Sequence, residues 1–125
     1  MINGINSREM ILEILLEIEE GEHSHVAIRN ALSKYQFLPK QDRAFITRVC
    51  EGTLEYRIQI DYIINSFSKV TVDKMKPAIR EILRSAVYQL KYMDSVPDSA
   101  VCNEAVKLAQ RKGFYNLKPF VNGVL

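Results

Sequence analysis

Cysteine, histidine and glycine are scarce in this sequence, and none of them recurs at the spacing of a functional site. The two cysteines, Cys50 and Cys102, are too few for a disulfide framework or a metal cluster, and both fall on apolar helix faces as small hydrophobic residues. His23 and His25 lack a further ligand at suitable spacing, which favours solvated loop residues over a metal pair. The five glycines are scattered and form no phosphate-cradling loop. The sequence therefore predicts neither a metal site nor a cofactor in this chain.

Long apolar runs are also missing, since no stretch approaches the roughly 20 residues of a membrane span. The first ten residues do not show the basic-then-apolar layout of a secretory signal, so we expect a cytoplasmic protein that does not bind membranes. With 125 residues, of which 47% are hydrophobic and 26% charged, the composition is that of one globular domain.

The charge is unevenly distributed, although the net charge is only +2. Residues 1–36 carry three Lys or Arg against six glutamates, whereas residues 37–125 carry 14 Lys or Arg against nine Asp or Glu. A basic second part of the chain is compatible with a polyanionic partner such as RNA.

Hydrophobic periodicity predicts helices throughout. Asn6 is a candidate N-cap with Glu9 in capping-box spacing, and Gly21 ends that first helix, whose outer face is rich in glutamate. A second helix is predicted from Ser24, as N-cap, to about residue 35. Residues 39–67 predict two helices with a bend, in which Gly52 marks a close helix–helix contact.

The residues after this bend are almost wholly apolar, which predicts a central core helix. It includes Ile58, Tyr62 and Phe67. Further helices are predicted over residues 77–90 and 101–112, with Gly113 as C′ residue, and a last one near the end of the chain. No alternating strand pattern occurs, so the predicted fold is all-α with about seven helices.

Four segments in order along the chain carry a resemblance to a known family. They are residues 41–65 (QDRAFITRVCEGTLEYRIQIDYIIN), 87–97 (VYQLKYMDSVP), 103–109 (NEAVKLA) and 117–125 (LKPFVNGVL). These segments resemble the NusB-like helical domain, which the NusB antitermination factors share with the N-terminal part of Sun/RsmB-type ribosomal RNA cytosine-C5 methyltransferases. The second and fourth segments look closer to the methyltransferase version.

The resemblance implies a domain that makes and breaks no bonds. In the methyltransferases, a downstream Rossmann-like domain binds S-adenosylmethionine and holds the nucleophilic cysteine. The resemblance therefore does not make Cys102 the nucleophile. The partners implied are small-subunit ribosomal RNA and the chain's own C-terminal catalytic domain. Because the sequence stops within an apolar pattern, we expect residues 1–125 to be the N-terminal part of a longer chain.

Two basic clusters are candidate RNA-binding sites. The first lies on the helix predicted after residue 76, where the cations could clamp phosphates or simply cover the edge of the core with their alkyl stems. The second lies near residue 110, where cations could instead complement a helix dipole and a tyrosine could stack on a base. Together they comprise Lys76, Arg80, Arg84, Lys91, Lys107, Arg111, Lys112, Tyr115 and Lys118.

Arg43 and Glu104 are predicted to have a structural role. Each charge lies beside strongly apolar positions, where it persists only if it is paired. We therefore predict an ion pair between them across the bundle, whose loss in Glu104→Ala would cost several kcal/mol.

Three functions remain open at this point. The first is an RNA-positioning domain of a ribosomal RNA methyltransferase. The second is a free-standing NusB-like antitermination factor that binds boxA-type RNA and a ribosomal protein, although the antitermination factors usually open with an arginine-rich helix and this one offers only Arg8. The third is a helical domain that docks on protein and has no affinity for RNA.

Overall fold

The computed structural model describes residues 6–113, which form an all-α bundle. Six α-helices follow one another within this range, and a 3-10 turn precedes the fifth. They are α1 (Ser7–Glu19), α2 (Ser24–Lys34), α3 (Lys40–Glu55), α4 (Arg57–Phe67), the 3-10 turn (Val72–Lys74), α5 (Pro77–Tyr92) and α6 (Asp98–Arg111). The all-α prediction is confirmed, while the last predicted helix lies outside the described residues.

The helix ends follow the local signals of the sequence. Asn6 caps α1, because its side-chain oxygen accepts the backbone N–H of Glu9 at 2.8 Å. Gly21 and Gly113 follow α1 and α6 with φ of +114° and +86°, a backbone conformation that glycine adopts without a Cβ clash. The predicted N-cap of α2 is off by one residue, since His23 occupies that position and Ser24 is the first helical residue.

Helix α5 lies at the centre of the bundle. It packs against α1, α3, α4 and α6, and every residue from Glu81 to Gln89 is buried. Apolar side chains of α1 and α3, such as Ile14 and Ile46, fill the space around it and are fully buried. None of the helices in the described range combines the length and apolarity needed to cross a membrane.

The prediction that α4 is the central core helix is wrong. Only Ile60 and Ile64 of α4 are buried, whereas Ile58, Tyr62 and Phe67 are 87%, 75% and 73% exposed. The helix touches the bundle along one side, mainly through α5. An apolar sequence therefore does not imply burial all round, because the neighbouring helices cover only one face.

Candidate nucleic-acid interface

Arg80, a member of the predicted basic stripe on α5, is bound internally. Its Nε donates to Glu19 Oε2 at 2.8 Å, and a second guanidinium nitrogen pairs with the other oxygen of the same carboxylate. Its Nη1 donates to the backbone carbonyl of Met75 at 3.1 Å, just before α5 begins. The hydrogen bond to Glu19 raises the pKa of Arg80. This arginine therefore joins α1 to the start of α5.

Arg84 is still more deeply engaged. The residue is 8% exposed, and its Nε and Nη2 donate to the two carboxylate oxygens of Asp61 on α4 at 2.8 and 2.9 Å. Its Nη1 donates to Glu81 Oε2 at 2.7 Å. Burial alone lowers the pKa of Arg84, but the hydrogen bonds to these carboxylates outweigh it and raise the pKa. A bidentate pair of this kind fixes the geometry as well as the charge.

The carboxylates of this network differ in protonation. Burial, and secondarily a hydrogen bond with Glu19, raise the pKa of Glu81 to about 8. Glu19 has its pKa lowered to about 2, chiefly by the hydrogen bond from Arg80. Near neutral pH the network thus has Glu19 ionised and Glu81 largely protonated. Arg80 and Arg84 use their guanidinium groups to hold α1, α4 and α5 together, and their contact with RNA stays a prediction.

The other cations of the two predicted clusters that lie within residues 6–113 are exposed. Lys76 immediately precedes α5 and Lys91 lies in its last turn, so about 22 Å of helix separates them. At the end of α6, the three cations are Lys107, Arg111 and Lys112. Lys76 and Lys91 therefore lie at opposite ends of α5.

Two of the α6 cations face carboxylates at moderate distance. Lys107 Nζ lies 3.5 Å from Glu104 one turn earlier, and Arg111 Nη1 lies 3.8 Å from Glu9 of α1. Both cations are substantially exposed, so such pairs are weak and leave the cations accessible to phosphate. Their contact with RNA stays a prediction. Tyr115 and Lys118, the remaining predicted contacts, lie outside the described residues.

The predicted pair between Arg43 and Glu104 is wrong. Arg43 Nη1 donates to the carbonyls of Leu32 and Tyr35 at 2.9 and 3.2 Å, where it satisfies the end of α2. Glu104 pairs with Lys107 on its own helix and attracts the charge of Arg8 on α1. Each charge thus has a nearer partner, because α6 packs against α5 and α1 while Arg43 faces α2.

A cluster of three tyrosines, which the sequence reasoning missed, lies where α3, α4 and α5 meet. The ring centroids of Tyr56 and Tyr92 are 4.5 Å apart with an interplanar angle of 18°, and those of Tyr88 and Tyr92 are 5.3 Å apart at 28°. Tyr88 and Tyr92 are spaced i, i+4 on α5, which puts them on one helix face. That spacing was a usable signal, but Tyr56 is far away in sequence and joins them only in the fold.

Gly52 makes room for this tyrosine cluster. A Cβ placed on Gly52 would overlap the Tyr88 ring, which lies directly over the glycine. The prediction of a close helix–helix contact at Gly52 is confirmed, and α5 supplies the other side of it. Beside the cluster, an open groove of about 570 Å³ runs along α3. Its charged lining includes Lys40, Arg48, Glu51 and Glu55.

The cysteines have the environment of structural residues. Cys50 is fully buried in α3, and Cys102 is half-buried in α6. Burial raises the pKa of both thiols, and the thiolate is the nucleophilic form of cysteine. Within residues 6–113, no group of three or more His, Cys, Asp or Glu side chains could hold a metal ion.

Comparison with known proteins finds relatives of two kinds. The chain is 33% identical over 118 residues to the probable ribosomal RNA small subunit methyltransferase B of Bacillus subtilis (strain 168), covering 94% of this chain and 26% of that protein. It is 34% identical over 120 residues to the transcription antitermination protein NusB of Bacillus velezensis, covering 95% of this chain and 89% of that protein. The chain thus spans about a quarter of the methyltransferase relative and most of the antitermination relative.

Solved structures share the fold. The crystal structure of antitermination factors NusB and NusE in complex with dsRNA matches with a TM-score of 0.85 and 20% identity, over 94% of this chain and 89% of the matched chain. NusB of T. maritima matches with a TM-score of 0.84 and 25% identity, over 94% and 84%. The sequence profile of the NusB family matches residues 5–125. This chain therefore belongs to the NusB family.

Proposed function

We infer that this chain is the non-catalytic RNA-positioning domain of an S-adenosylmethionine-dependent ribosomal RNA cytosine-C5 methyltransferase. The domain binds a segment of small-subunit ribosomal RNA and holds it against a catalytic domain that follows in the same cytoplasmic protein. The observation that carries this choice over an antitermination factor is the chemistry of α1.

Helix α1 is poorly suited to contact phosphate. Its exposed side carries Glu13 and Glu17, with Glu20 directly after it, and phosphates approaching this side would meet like charge. Arg8 is its sole Lys or Arg, and this residue faces inward. Its Nε donates to Gln89 at 3.2 Å, and its guanidinium lies 5.3 Å from the ring centroid of Phe45. The arginine-rich first helix of the antitermination factors thus has no counterpart here.

Methyl transfer is assigned to the domain that follows. Gly21 and Gly113 end helices, and Gly52 lies inside α3 against Tyr88, so among the described residues the glycines form no loop for S-adenosylmethionine. Cys50 and Cys102 have raised pKa values, which disfavours a role as nucleophile. The cofactor and the catalytic cysteine are therefore expected outside this chain, and its own contribution is to bind and orient RNA.

The native gene beyond the codon for Leu125 provides the direct test. We expect an open frame that continues into an adenosylmethionine-binding domain with a cysteine nucleophile. A stop codon within a few residues would contradict the methyltransferase assignment. It would favour the second candidate, a NusB-like antitermination factor. The observation in favour of that candidate is that the match covers 89% of the Bacillus velezensis protein.

A salt titration tests RNA binding itself and separates it from pure protein docking. Phosphate contacts by the α6 cations Lys107, Arg111 and Lys112 would give a slope of log affinity against log salt of about −0.7 per contact on single strands. Changing Lys107 and Lys112 to Gln should then make the slope shallower by about 1.4. Absence of binding at low salt would instead favour a domain that docks only on protein.

A further inference from the structure

We propose that the tyrosine cluster (Tyr56, Tyr88 and Tyr92) and the groove beside it form a stacking site for an unpaired base of single-stranded RNA. The proposal rests on the RNA-binding function inferred above and names where one base is held. It depends on the aromatic geometry, the rigidity of the cluster and the charges along the groove.

The aromatic geometry provides a preformed surface for stacking. The three rings are close to parallel, with interplanar angles of 18° to 28°. Tyr88 is buried, Tyr92 is half-buried and Tyr56 is 37% exposed, so the cluster extends from the core to the surface. Nucleobases stack on exposed aromatic rings of this kind, whereas bases within a duplex have no face to offer.

Contacts outside the rings hold the cluster in place. The Tyr92 hydroxyl donates to the side-chain oxygen of Gln59 on α4. The Tyr92 backbone carbonyl accepts a hydrogen bond from Arg48 Nη2 on α3 at 3.2 Å. The Tyr88 ring packs directly against the α3 backbone at Gly52. Because α3, α4 and α5 all anchor the rings, stacking of a base on them costs little side-chain conformational entropy.

The charges along the groove suit a nucleotide with an exposed base edge. Arg48 is exposed, and Lys91 Nζ lies 5.8 Å from the Tyr92 ring centroid, so both cations can approach a phosphate beside a stacked base. Glu51 and Glu55 line the same groove. They weaken attraction to a phosphate backbone in general, but a carboxylate can accept a hydrogen bond from the amino group of cytosine or adenine. This mixture favours single-stranded RNA over duplex RNA.

Substitution at Tyr56 tests the stacking. The probe is a fluorescein-labelled, unstructured single-stranded RNA of mixed sequence, titrated with the 125-residue chain at low salt and followed by anisotropy. Tyr56→Ala should weaken binding about tenfold, or about 1.4 kcal/mol. Tyr56→Phe keeps the ring and should stay within about twofold of the unchanged protein. Tyr62→Ala is the matched control, because Tyr62 is a more exposed tyrosine of α4 outside the cluster.

The outcomes separate this proposal from the proposed function. If the unchanged protein binds RNA and Tyr56→Ala binds as tightly as Tyr56→Phe, the stacking site is wrong while RNA binding stands. If the unchanged protein does not bind RNA at low salt, both are wrong. Ultraviolet crosslinking gives a second readout that needs no substitution. Crosslinked peptides should contain Tyr56 or Tyr92, and crosslinks confined to the end of α6 would overturn the proposal.

Discussion

Gly52→Ala is the substitution for which the structure makes the sharpest prediction. Alanine normally favours a helix interior by about 1 kcal/mol over glycine, and Gly52 lies inside α3. Here, however, the added Cβ would overlap the Tyr88 ring. That ring has little room to retreat, because it is 6% exposed and lies against Tyr56 and Tyr92.

Opposing contributions determine the size of the effect. Forcing an extra methyl group into a packed contact costs about 1–3 kcal/mol. Displacing Tyr88 also weakens its two aromatic contacts, each of which contributes about 0.5–1.5 kcal/mol. Subtracting the helix-propensity gain of about 1 kcal/mol leaves a net loss of about 2 kcal/mol in the free energy of unfolding.

Urea denaturation followed by circular dichroism measures this loss, and the Tyr88→Ala background provides the control. Once the ring is gone, only the propensity gain remains, so Gly52→Ala should stabilise the Tyr88→Ala protein by about 0.5–1 kcal/mol. The sign of the effect is thus expected to reverse between the two backgrounds. Stabilisation by Gly52→Ala in both backgrounds would refute the reasoning, because it would mean that the Tyr88 ring moves aside at no cost.

Three further predictions concern the charged groups. The pKa of Glu81 is raised from 4.5 to about 8 in the folded protein, so its contribution to stability is present below about pH 4.5 and is lost as the pH rises through about 8. Urea midpoints measured near pH 5 and near pH 8 should show this decline in the unchanged protein and a flatter one in Glu81→Gln. An unchanged decline in Glu81→Gln would contradict the assignment. Arg84→Met should cost about 3 kcal/mol in urea denaturation, because it leaves the Asp61 carboxylate without its bidentate cation, and a loss below about 1 kcal/mol would mean that solvent replaces the pair. Glu104→Ala should cost less than about 1 kcal/mol by thermal or urea unfolding, since its contact with Lys107 is a solvent-exposed pair, and a loss of several kcal/mol would point to a buried partner instead.

Local signals predicted most of the helices and their ends. The Asn6 cap, the glycines after α1 and α6 and the break between α3 and α4 are all present in the structure. These features could be predicted because each depends on residues a few positions apart, where backbone geometry and capping act directly. The same holds for the glutamate-rich face of α1, which appears in the sequence as a simple repeat.

The roles of the charged residues could not be predicted in this way. A helical wheel places Arg80 and Arg84 beside the apolar face of α5, but their hydrogen bonds to Glu19 and Asp61 join residues 61 and 23 positions apart. Arg43 illustrates the same limit, since its acceptors are the last carbonyls of the preceding helix. Whether a cation meets a carboxylate, a carbonyl or solvent depends on which helices become neighbours.

The sequence by itself determined the all-α class, the order of the helices and the family resemblance, because periodicity, caps and motif order are properties of contiguous residues. Only the tertiary structure decided that α5 and not α4 is central, that two arginines of the predicted basic stripe form internal ion pairs, and that Tyr56 meets Tyr88 and Tyr92. The physical reason is that burial and ion pairing depend on distances between side chains of different helices. Those distances are set by the packing of the whole bundle.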